Sequence, residues 1–173
     1  MFTIEVQDNG VQAALQALSN RVGNMRPVLR VIGEDIQERS KERFATSTGP
    51  DGQRWQSNAR STIETFIGRQ RGFGKKGINK KGQGLAMGKK PLIGQSHDLA
   101  RQFDVKADAA SVTVANSMIY AAMQQFGGKK SAFPNLWGDI PARPFLPIKQ
   151  DGELYPAERT RILDAINDYL AGK

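Results

Sequence analysis

Eight cationic side chains fall within 23 residues of this 173-residue chain: Arg69, Arg71, Lys75, Lys76, Lys80, Lys81, Lys89 and Lys90, in a stretch (68–90) that also holds seven glycines and no acid. Cations at this density suit a polyanion or an acidic protein surface, and phosphate contact of this kind releases counterions and weakens as salt rises. The chain has 25 basic and 17 acidic residues. Outside this stretch bases and acids balance, so the formal charge of +8 belongs to it alone. Phe73 is its only aromatic residue, which leaves no platform for base stacking. No sequence-reading helix follows, so nucleic acid would be met through its backbone without sequence preference. The competing reading is a solubilising tip, or an arm that orders against an acidic protein face.

Catalytic chemistry is poorly supplied. His97 is the single histidine; Asp98 is its sequence neighbour, and adjacent residues rarely face each other. A small hydrolase would need His97 as its base, with no activated serine in evidence. Zero cysteines exclude a disulfide scaffold, a thiolate metal site and a thiol nucleophile. One histidine does not build the usual zinc sites, and the acids are scattered apart from Glu34-Asp35, which point apart on a helix. The run Gly72-Phe73-Gly74-Lys75-Lys76-Gly77 fits GxGxxG but follows no convincing strand and opens no amphipathic helix. No enzymatic activity, cofactor or metal is expected.

The elements that carry these residues read as an α+β chain forming one domain over 1–173. Phe2, Ile4 and Val6 alternate as a short strand, and Asp8-Asn9-Gly10 makes a turn or cap. Val11, Leu15, Leu18 and Val22 recur at helical spacing. Pro27 sits near the start of a second helix, whose apolar stripe is Val28, Leu29, Ile32, Ile36 and Phe44. Thr48 to Gly52 is a turn, and a short element with Ser61 and Glu64 as a capping box leads into 68–90. Because ordering glycine is entropically costly, 68–90 reads as a long, flexible basic loop. Phe103, Val105 and Ala107 pair with Val112 and Val114 as a hairpin. Ser117 to Phe126 is a short helix ended by Gly127-Gly128. Pro141, Pro144 and Pro147 fix an extended path. Pro156 to Ala171 is the last helix. The expected architecture is a small antiparallel sheet with a β-hairpin packed against two or three amphipathic helices. The first residues carry no basic region or long apolar run, so neither a signal peptide nor a transmembrane helix is expected.

Three blocks occur in order. Phe44 is followed by Gly49-Pro50-Asp51-Gly52-Gln53-Arg54-Trp55; Leu92-Ile93-Gly94 stands with Leu99; and Tyr120-Ala121 and Gln125-Phe126-Gly127-Gly128 lead to Ile140-Pro141-Ala142-Arg143-Pro144-Phe145-Leu146. Over roughly 28–148 they resemble the phage virion morphogenesis, or tail completion, family, which includes the Mu-type G and P2-type S proteins. The resemblance implies a structural protein of the head–tail junction, acting as a neck, connector or tail-completion ring. Hexameric self-association and neighbouring neck, portal-side or tail-tube proteins as partners follow from it. It also implies location in the virion, after assembly in the host cytoplasm, with no membrane contact. Adaptor, stopper and tail-terminator positions stay open. Trp55, Tyr120, Phe126, Pro141, Arg143, Pro144, Phe145 and Leu146 carry the motif, as interface or as packing, and the packing reading has Arg143 salt-bridged. The alternative is a nucleic-acid-binding module working through the basic loop; the two merge if a ring turns that loop toward DNA in its channel.

Overall fold

A computed structural model describes residues 9–136 and 138–173. The strand expected at Phe2, Ile4 and Val6 lies outside them. Helix α1 spans Asn9–Gly23 and α2 spans Arg26–Thr46, with Pro27 in its first turn, where a missing N–H costs nothing. Helix α3 (Arg60–Arg69) precedes a small ladder of β1 (Phe73–Gly74) and β2 (Gly77–Ile78), then α4 (Lys80–Gly88) and the one-turn α5 (Asp98–Arg101). Strands β3 (Phe103–Ala107) and β4 (Val112–Asn116) form the expected antiparallel hairpin, with Val105 opposite Val114. Helix α6 (Ala121–Phe126) ends at Gly127 as expected but starts at Ala121 rather than Ser117, and α7 spans Pro156–Ala171 as its periodicity requires. The fold is α+β, with two two-stranded antiparallel sheets among the described residues.

Helix α2 is the shared support. Near its start Val28, Ile32 and Ile36 pack with Val112, Val114, Ile162 and Ile166, joining hairpin and α7. Near its end Phe44 enters an aromatic cluster with Trp55, Phe103 and Phe145. Phe44 and Phe145 are 1% and 0% exposed, with ring centroids 5.2 Å apart. Between the two clusters a buried Glu158 from α7 meets Arg39 and Arg43 of α2, the latter at 3.4 Å. Burial, the strongest influence, lowers the Arg43 pKa from its ordinary value, and Glu158 opposes that effect. Removing Glu158 would leave two cations in a poorly solvated place.

The prolyl segment 140–148 meets other backbone only at isolated points: Ile140 exchanges two hydrogen bonds with Gly128, the Arg143 N–H donates to the Gln124 carbonyl, and Ile148 bridges Leu154. Side chains serve groups between these points. Phe145 and Leu146 donate their N–H groups to Gln125 Oε1 at 2.8 and 2.9 Å. Gln125 Nε2 donates to the Leu146 and Ile148 carbonyls, both at 3.0 Å. Arg43 donates to the Phe145 carbonyl at 2.7 Å and the Trp55 indole to that of Pro144 at 3.0 Å. Two turns of one design flank this work. Asp51 and Asp151 each accept from the backbone N–H two residues on, at 3.0 and 2.9 Å, and Gly52 and Gly152 both adopt positive φ. Each turn delivers an aromatic residue, Trp55 or Tyr155, whose own N–H bonds back across it.

Two expectations are corrected. Ser61 and Glu64 form no capping box: Ala59 occupies the cap position without a side-chain bond, and Glu64 instead accepts from Arg60 at 2.7 Å. Stretch 68–90 is also not all loop. A Cβ on Gly82 would lie 2.1 Å from the Gly72 carbonyl oxygen, and one on Gly72 would lie 2.6 Å from Ile67 Cγ2. These glycines allow α4 to lie against the turn after α3. Asn79 then caps α4, accepting from the Gly82 N–H at 2.8 Å.

Two substitutions test this core. In α2, a Cβ on Gly33 would come 2.6 Å from methyl groups of both Val105 and Val112. Gly33→Ala should therefore lower stability by roughly 1–2 kcal/mol in urea unfolding, because overpacking outweighs the gain in helix propensity of about 1 kcal/mol. A more stable variant would show that α2 and the hairpin are not in close contact. Gln125→Leu strands two donors and two acceptors, and should cost roughly 2–4 kcal/mol by the same measurement. A loss below about 1 kcal/mol would contradict the clamp.

Candidate functional site

Four elements and one connecting segment enclose a groove of about 1610 Å³. The end of α2 supplies Lys41 and Ala45; α3 supplies Phe66 and Arg69; α4 supplies Lys81 and Leu85. Lys89, Lys90 and Ile93 come from the segment after α4, and Arg101 closes the ring of cations from α5. No carboxylate lines it.

Its parts are held by local chemistry. Asn58 donates to the Lys89 carbonyl at 3.3 Å, tying the approach to α3 to the exit from α4. The Lys89 ammonium lies 4.9 Å from the centre of the Phe66 ring and donates to the Ile93 carbonyl. Burial lowers its pKa from the ordinary lysine value. Lys90 donates to the Ala45 carbonyl at 2.6 Å, completing the last turn of α2 with a charge that suits its dipole. Lys41 pairs with Glu38 at 2.6 Å. Arg69, Lys81 and Arg101 are exposed and have no ion pair among the described residues.

The eight basic residues are therefore divided. Arg69, Lys81, Lys89 and Lys90 line the groove, while Arg71, Lys75, Lys76 and Lys80 do not; Lys75 and Lys76 occupy the tip between β1 and β2. Lys41 and Arg101 are additions that spacing could not reveal, because they come from helices distant in sequence. His97 lines the groove with a positive φ, but Asp98 accepts from the Ser96 hydroxyl rather than from His97. No group of three or more potential metal ligands occurs among the described residues.

The motif residues lie elsewhere and mostly face inward. Trp55 and Phe145 are buried in the aromatic cluster, and Pro141, Pro144 and Leu146 are half-buried. Arg143 is buried and makes no salt bridge among the described residues, which corrects that expectation. Its guanidinium donates to the Gln56 and Ser57 carbonyls at 2.9 and 3.0 Å, and burial lowers its pKa from the ordinary value. Tyr120 and Phe126 are exposed, and Phe126 shares a shallow depression with Phe133, Ile140 and Pro141. Gln125 and Arg43 carry the buried hydrogen bonds of this region. Sequence places them on helices but does not show what they reach.

A family model described as the phage virion morphogenesis family matches residues 6–171. No curated protein and no solved structure matches the chain.

Proposed function

The chain belongs to the phage virion morphogenesis family, and from that membership we propose that it is a ring-forming structural protein of the head–tail junction. A structural or assembly role in the virion, rather than a catalytic one, is what the family supports. The match over nearly the whole length carries the reading. Among the described residues no helix is long and apolar enough to cross a membrane.

The surface supports self-association. A ring closes through heterologous contacts, in which two different patches of one chain meet on neighbouring copies. Leu15, Leu18 and Val22 of α1 follow the three- and four-residue spacing of a helical seam, and all three are exposed. A second apolar surface is the depression shared by Phe126 and Phe133, with Ile119, at 99% exposure, and Tyr120 at the other end of α6. Exposed apolar groups gathered in this way mark interaction sites. The α1 seam of one subunit docks on the second surface of the next, and sixfold closure suits a place on a tail axis. The ring completes the tail or joins it to the neck.

Mass photometry and negative-stain microscopy of the purified protein should show a closed oligomer, with six subunits expected. Leu15→Glu with Leu18→Glu should convert it to monomers while leaving the helical circular-dichroism signal unchanged. A wild-type protein that stays strictly monomeric and is missing from virions would overturn the reading.

A further inference from the structure

We infer that the groove between α2, α3, α4 and α5 is a docking site for an acidic amphipathic helical segment of a partner protein. Three observations converge on this ligand. The groove is open along one side, and its volume of about 1610 Å³, above the roughly 300–1,000 Å³ usual for small-molecule sites, leaves room for a polymer segment. The lining includes Ala45, Phe66, Leu85, Ile93 and Ala100, so the occupant needs apolar side chains on one face. The rim presents Arg69, Lys81 and Arg101 without ion pairs among the described residues, so its other groups are carboxylates. Apolar anchors at helical spacing in a hydrophobic groove, bordered by complementary charge, are a recurring mode of peptide recognition.

A nucleic-acid strand fits less well. Its phosphates would satisfy the rim, but its bases would need open aromatic faces. Phe44 is buried and Lys89 sits over the Phe66 ring, which leaves the His97 imidazole as the one exposed aromatic ring among the described lining residues, too little for successive bases to stack on. The identity of the occupant as a junction protein rests on the assembly role proposed above; the chemistry of the groove does not.

The test uses the full-length protein and fluorescence anisotropy at about 0.15 M salt, where long-range attraction is screened. The probe is a labelled synthetic helix of about 15 residues with leucines on one face and glutamates on the other. Controls of equal length replace leucine by serine or glutamate by lysine, and a single-stranded oligonucleotide carries the same negative charge. The Leu/Glu helix should bind at least about tenfold more tightly than any control. Arg69→Glu with Arg101→Glu should weaken it about tenfold or more, as should Leu85→Ser. Lys75→Glu with Lys76→Glu, at the hairpin tip outside the groove, should change the affinity by less than about threefold. Absence of binding overturns the proposal, including the case of a groove already covered by a second copy. Tighter binding of the oligonucleotide, or equal loss from the hairpin-tip variant, also overturns it. Particle mass measured on the same samples separates the two readings: intact rings that ignore the Leu/Glu helix sink only the groove, and monomers that bind it sink only the ring.

Discussion

The rest of the structure depends on burying an extended, proline-interrupted segment that has no neighbouring strand. Pro141, Pro144 and Pro147 cannot donate hydrogen bonds, and other backbone meets 140–148 only at isolated points, such as the paired bonds of Ile140 with Gly128 and the Arg143 N–H on the Gln124 carbonyl. A buried backbone group without a partner costs as much as a lost hydrogen bond, so side chains serve where no backbone partner reaches. Gln125 alone contacts four groups across the segment, and Arg43 and Trp55 cover two carbonyls. Phe145 can fill the aromatic cluster only because these bonds fix its backbone.

The same segment reaches outward to the groove. Arg143 holds the Gln56 and Ser57 carbonyls, just after Trp55 and just before α3 begins. The core thereby sets where the α3 wall stands. The paired aspartyl turns frame this arrangement, one delivering Trp55 beneath Pro144 and the other leading through Tyr155 into α7. Burial raises the Tyr155 pKa from its ordinary value, and the Asp51 carboxylate adds to the shift, so the first turn bears on the exit of the second. Arg43 links the parts by serving both Phe145 and Glu158.

Much of this was legible in the residues themselves. The α2 stripe, the β3–β4 alternation and α7 follow from periodicity because each has one buried face, and the three motif blocks identify the family without any structure. Two kinds of feature were not legible. One is glycine serving close approach: Gly72 and Gly82 have the composition of a flexible loop, yet their missing side chains are what allow α4 to seat. The other is convergence. Lys41, Phe66, Leu85 and Arg101 show no pattern in the chain, since they meet only after four helices pack. Arg143 shows a related limit, because a buried guanidinium can be satisfied by carbonyls as well as by a carboxylate. The exposed seam of α1 shows the same limit of convergence, because periodicity reports an apolar face but not what packs on it.

The division of labour within 68–90 has a consequence for how such a protein could diversify. The groups that hold the module together are Gly72, Gly82, Asn79 and the Lys89–Phe66 pair. The side chains that define its outward charge, Arg69 and Lys81, joined by Arg101 from α5, make no ion pair among the described residues. Under the proposed docking role, recognition would be written on residues that can change without disturbing the scaffold. A lineage could reverse the charge of the rim to follow a changing partner while every glycine contact stays in place, so partner choice and foldability can evolve on separate schedules.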